Sequence, residues 1–117
     1  ADAFVMVTAE YNYGYPAPLK NALDYLFAEW NYKPVAFVSY GGIAGGTRAV
    51  QQLKQVVTAQ KMMPITEIVN IPFFTKYIDD KGIFNTDKIL HQSADAMLAE
   101  LVKWANGLKE MREKNSA

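Results

Sequence analysis

Apolar and polar positions alternate along this chain in three blocks, each a short apolar run followed by a stretch with helical spacing. Ala3 to Ala9 (AFVMVTA) and Pro34 to Tyr40 (PVAFVSY) are nearly unbroken apolar runs. Such runs suit strands buried on both faces of a parallel sheet. Ile65 to Ile71 (ITEIVNI) predicts a third strand. A first helix is expected from Pro18, since proline fits an opening turn. Leu19, Leu23, Leu26, Phe27 and Trp30 recur at spacings of three and four and carry it to Trp30. A second helix follows Gly46, with Val50, Leu53, Val56 and Val57 as its apolar stripe. A third follows Asn85 and Thr86, either of which can cap it. Leu90, Ala94, Met97, Leu98, Leu101, Ala105 and Leu108 share one face of that helix. The polar tail KEMREKNSA is expected to fray.

Strand and helix in strict alternation imply a parallel α/β sheet with right-handed crossovers. Ligands of such sheets bind beyond the carboxyl ends of the strands. Three loops lie there: Thr8 to Pro18, Ser39 to Thr47, and Pro72 to Phe84. The last is the longest irregular stretch, and long ordered loops are often functional.

With 117 residues, half of them hydrophobic, the chain suits one domain, residues 1–117, with one core. Twelve basic and twelve acidic side chains cancel, so no net field favours nucleic acid or an anionic membrane. The absence of cysteine excludes disulfides and thiolate chemistry. No apolar run reaches the roughly 18 residues of a membrane span. Ala1 leads directly into a strand, which reads as a processed chain or a piece of a longer one.

The second loop, SYGGIAGGTR, holds four glycines. They let backbone N–H groups approach a flat or anionic ligand, or simply make a tight strand-to-helix turn. Gly41 and Gly46 have phosphate-loop spacing, but Thr47 and Arg48 stand where lysine and a hydroxyl residue belong. A nucleotide triphosphatase is therefore excluded. The first loop offers Glu10, Tyr11, Asn12, Tyr13 and Tyr15. Aromatic faces with an amide suit a planar heterocycle, and tyrosines equally suit an oligomer interface. His91, the only histidine, lies early in a long helix without an obvious partner and reads as a surface or satisfied residue in preference to a base. Asp79 and Asp80 ahead of Gly82 read as a turn, and a calcium site would need more oxygen ligands. Lys20 and Arg48 stand at helix starts and could meet an anion or be solvated. No nucleophile or acid–base pair stands out, so any redox or transfer chemistry falls to a cofactor.

TAEYNYGYPAPLKNALDYL resembles the signature of the NADPH-dependent FMN reductase family, flavodoxin-like proteins that include azobenzene, chromate and quinone reductases. Thr8, Glu10, Tyr11, Asn12, Pro18, Leu19, Lys20, Asn21 and Asp24 match it, and SYGGIAGGTRA resembles the family's second loop. Ala9 stands where the family has proline. The resemblance implies a flavodoxin-like three-layer α/β fold binding FMN. Glu10, Tyr11 and Asn12 would line one side of the flavin ring, and Ser39, Tyr40, Gly41 and Gly42 the other edge. Hydride from NAD(P)H would pass through FMN to a quinone, azo compound, metal oxyanion or flavin. The resemblance also implies a homodimer or homotetramer in the cytoplasm, with the helix from Pro18 to Trp30 near the interface. The family's first two strands and its phosphate loop are not found in the chain. Only strands 3, 4 and 5 of the usual sheet are then expected, an N-terminal truncation that leaves Ala3 to Ala9 as an edge and removes a phosphate cradle. The alternative is a non-catalytic fragment that only self-associates or binds a partner.

Overall fold

A computed structural model describes residues 1–115. Its sheet is parallel throughout. β1 (Phe4–Ala9) runs beside β2 (Pro34–Tyr40), in register from Phe4 opposite Val35 to Ala9 opposite Tyr40. On the other side of β2 lie β3 (Met63–Pro64) and β4 (Val69–Ile71). Of the expected strand Ile65–Ile71, only Val69–Ile71 forms strand, and Met63–Pro64 ahead of it adds a second short piece on the same side of β2. Pro64 has no N–H for the ladder, and the chain bends at the exposed Thr66 before pairing resumes.

Helices α1 (Ala17–Asp24) and α2 (Thr47–Ala59) cover one face, and α3 (Lys88–Asn115) covers the other. The alternation in β2 explains the division. Val35 and Phe37 point to the first face with Met6, Leu23, Val50, Leu53 and Val57. Ala36 and Val38 point to the second with Ile65, Val69, Leu90, Met97 and Leu101. α3 lies over β2 and β4.

α2 starts after Gly46 as expected. α1 stops at Asp24, short of Trp30. The indole N–H of Trp30 and the amide of Gln60 both donate to the Leu23 carbonyl, at 3.1 and 2.6 Å. That carbonyl would otherwise accept the N–H of Phe27 and prolong the helix. Trp30 instead packs edge-on against Phe4, with ring centroids 4.9 Å apart.

α3 is capped by Asp87, not by Asn85 or Thr86: its carboxylate accepts the Leu90 N–H at 2.8 Å. The helix also runs on through the expected fraying tail to Asn115. Asp2 holds it there, accepting from Arg112 at 2.8 Å and Lys109 at 3.3 Å, while Arg112 also donates to the Tyr32 carbonyl. Lys109 and Arg112 hold the Asp2 carboxyl below its ordinary range. Residues 116 and 117 of that tail lie outside the described residues. Among the described residues, no helix is long and apolar enough to cross a membrane.

Candidate functional site at the carboxyl ends of β1 and β2

The parallel register brings Ala9 and Tyr40 side by side, so the two loops that follow start from neighbouring strand ends. The first loop turns sharply. Tyr11 and Gly14 exchange two backbone hydrogen bonds of 2.9 Å. Between them, Asn12 and Tyr13 both have positive φ, 49° and 73°. That is the two-residue hairpin turn, in which Asn is at home and Tyr is strained. The turn projects Tyr11 and Tyr13 into solvent, each about two-thirds exposed at 65% and 64%. Tyr15 turns inward and packs against the core beneath α1 and α2.

Glu10 does not join that exposed surface. Its side chain is 6% exposed, and its carboxylate accepts the N–H groups of Arg48 and Ala49, at 3.0 and 3.3 Å, and the Arg48 Nε–H. It caps the start of α2 from the end of β1. The guanidinium it holds lies 3.7 Å from the Tyr13 ring centroid, a close cation–π contact.

Ser39 is likewise buried behind the second loop. Its hydroxyl donates to the Gly45 carbonyl at 2.8 Å and accepts from Asn70 at 2.7 Å. This places both hydroxyl and carboxylate out of reach of a ligand, for the same reason: neighbouring backbone already uses them. Gly46 must be glycine, because its φ is +86° and an added Cβ would stand 2.5 Å from the Ser39 Cβ. Gly41 is also buried, its N–H donating to the Ile71 carbonyl. Gly42 is exposed, with nothing within 4 Å of where a Cβ would sit. Tyr40 is half-buried and meets Phe74 edge-on, centroids 5.3 Å apart.

The third loop braces the second. Phe73 and Phe74 donate backbone N–H groups to the carbonyls of Gly42 and Gly41. Farther out, Asp79 accepts from the N–H groups of Lys81 and Ile83 and from the Asn85 amide, the expected turn. These bonds hold its carboxyl below the ordinary value.

Of the seven residues predicted to line a ring, Tyr11, Asn12, Tyr40 and Gly42 reach or approach the surface. Gly41, Ser39 and Glu10 support it from behind. Arg48, expected to meet an anion or be solvated, meets the Glu10 carboxylate, while Asn70 is a structural partner that spacing did not identify. The signal for Asn70 was an amide inside an otherwise apolar strand. Lys20 is tied to Asp24 at 2.6 Å, which raises its pKa. His91 is exposed on α3, at the rim of an apolar cavity of about 230 Å³ between α3, Val38 and Phe84, away from both loops. No group of acidic, histidine or cysteine side chains among the described residues could hold a metal.

A flavin ring fits what the loops offer. Two exposed tyrosine rings, an open glycine backbone and the Asn12 amide share one end of the sheet. Among the described residues, no acceptor meets the N–H groups of Gly42 and Ile43, and no protein group pairs with that amide. A phosphate does not fit at α2, whose first N–H groups already face the Glu10 carboxylate.

The model of the NADPH-dependent FMN reductase family matches residues 1–76. That match begins at the first residue and lends the expected loss of an N-terminal third no support. Over 62 residues, 53% of its length, the chain is 61% identical to an NAD(P)H-dependent FMN reductase of Schizosaccharomyces pombe, and spans 30% of that protein. Over 75 residues, 63% of its length, it is 49% identical to the NAD(P)H-dependent FMN reductase LOT6 of Saccharomyces cerevisiae, and spans 39% of it. The chain thus spans well under half the length of either relative. The structure also resembles FerB, a flavoenzyme NAD(P)H:(acceptor) oxidoreductase of Paracoccus denitrificans. The TM-score is 0.64 at 21% identity, covering 94% of this chain and 62% of FerB. That likeness speaks for a shared flavodoxin-like α/β fold.

Proposed function

Because the chain belongs to the NADPH-dependent FMN reductase family, we propose that it serves an FMN-dependent NAD(P)H oxidoreductase and supplies the surface that receives the flavin ring. The observation that carries this reading is the shared exposed end of two loops, one presenting Tyr11 and Asn12, the other Tyr40 and Gly42. Bound FMN would supply the redox chemistry, a two-electron reduction by NAD(P)H of a quinone, azo compound, metal oxyanion or free flavin. The chain's own residues bind and orient. Tyr11 and Tyr13 offer apolar ring surface that displaces water, and the Asn12 amide can both donate and accept at a ring edge. Gly42 leaves its backbone N–H approachable. No side chain here is assigned a covalent or proton-transfer role.

Titrating FMN into the chain and following flavin fluorescence tests the proposal. Saturable quenching at micromolar FMN or tighter is expected. Gly42→Val should keep the fold, since its Cβ has open space, and should weaken binding by tenfold or more, since it blocks the backbone. Absence of saturable binding by the unsubstituted chain would overturn the reading.

The family resemblance also supports a homodimer or homotetramer in the cytoplasm. The exposed Tyr25, Leu26 and Phe27 after α1 suit a subunit contact. One observation favours a second reading, a non-catalytic piece that only associates. Among the described residues, β1 has no partner on its outer side, and its Val5 and Val7 are exposed. Sedimentation of the chain with and without FMN separates the two readings: association without any flavin binding supports the second.

A further inference from the structure

We infer that Glu10 is a positioning residue, a strut that fixes the two ring-facing loops against each other without touching the ring. The inference rests on the flavin reading for its purpose, and on geometry alone for its mechanics.

Glu10 stands where the β1–β2 ladder ends: its N–H still donates to the Tyr40 carbonyl at 3.2 Å. From there its side chain crosses to α2. Three donors converge on one carboxylate: two backbone N–H groups of the first turn of α2 and the Nε–H of Arg48. A carboxylate matches this set for two reasons. The start of a helix presents unsatisfied N–H groups and a positive dipole end. A guanidinium adds a full charge in a fixed orientation.

Each bond has a mechanical result. The backbone pair sets the height of α2 and so the path of the glycine loop entering it. The Arg48 bond sets the guanidinium plane on which Tyr13 rests at 3.7 Å. Gln52 adds a second tie on the same side, donating to the Tyr13 carbonyl at 2.8 Å. The strained turn and the glycine loop are therefore positioned by one buried anion, 38 residues before its arginine. A group this fully engaged has no oxygen left for a ligand, so its influence on the ring runs through Tyr13 and Gly42.

Three substitutions separate the strut from a plain helix cap. Glu10→Gln keeps one oxygen for the α2 N–H groups but turns a donor toward Arg48. Glu10→Asp keeps the charge but falls one methylene short. Arg48→Lys keeps a cation but loses the planar fork. Amide exchange on the flavin-free chain is the first readout. Glu10→Gln and Glu10→Asp should speed exchange at 11–14 and 42–47 by about tenfold, and Arg48→Lys at 11–14 alone, while α3 keeps its rates. FMN affinity is the second, and should fall by about tenfold in each. Unchanged exchange in both loops, or acceleration spread equally over α3, would overturn the strut. If the unsubstituted chain binds no FMN, the reading of the function fails, while the exchange data still decide the role of Glu10.

Discussion

The two faces of the sheet treat the same strands differently. Where α1 and α2 pack, Phe37, Leu23, Leu53 and Val50 are fully buried, and even Met6 on the edge strand is covered. On the opposite face α3 lies over β2 and β4, and the middle of β1 is left open. Val5 and Val7, in register with Ala36 and Val38, are 41% and 64% exposed. Leu98 and Val102 on α3 are exposed too, at 48% and 58%. The strands alternate equally well on both faces, so strand pattern does not explain the difference. What differs is the number of helices available to cover it. Burial stabilises by roughly 25 cal/mol per Å² of apolar surface, so the two-helix face should hold most of the fold's stability.

The largest break in this comparison should come from Leu53→Ala. A cavity in the closed face should cost about 2–5 kcal/mol in urea unfolding, while Leu98→Ala on the open face should stay within about 0.5 kcal/mol. Equal losses would mean the faces are equally load-sharing. Next comes Ser39→Ala, at the loop end of β2. It strands the Asn70 amide and the Gly45 carbonyl, and should cost about 1–3 kcal/mol by the same measurement. Val7→Lys should leave unfolding within about 0.5 kcal/mol but suppress self-association at high concentration, read by light scattering.

The smallest effect is set by acid. Asp79 has its carboxyl held below the ordinary 3.8 by bonds made only in the folded loop. Its stabilisation is therefore complete above that value and fades as pH falls through the lower, folded one. Protection of the Lys81 and Ile83 amides, taken relative to their intrinsic exchange rates, should fall as pH drops below about 3.8, while residues near Leu53 keep theirs longer.

Much of this was legible in the sequence because it is local. Apolar runs marked β1 and β2, and Gly46 marked the start of α2. The two loops were found from their residues and their place beyond strand ends. What was not legible depends on partners distant along the chain. Nothing near Trp30 shows that its indole returns to Leu23 and, with Gln60, ends α1. Nothing in KEMREKNSA shows that Asp2 will hold Lys109 and Arg112. Glu10 was picked as a ring-lining residue by its type, but its direction depends on a helix that begins 37 residues later. Its carboxylate points to α2 because that is where unpaired N–H groups and a guanidinium wait. Ser39 is the same case, with Asn70 supplying the unseen half.

The Tyr11–Gly14 turn bears on how this protein would respond to selection in the laboratory. Its second central position favours glycine, and Tyr13 sits there at a conformational cost of about 1–2 kcal/mol. A screen that scored only heat resistance would therefore drift toward Tyr13→Gly. Survivors would fold well, and the arginine plane beneath the missing ring would lie bare, so the sturdiest variants would be the ones to assay first for lost ligand binding.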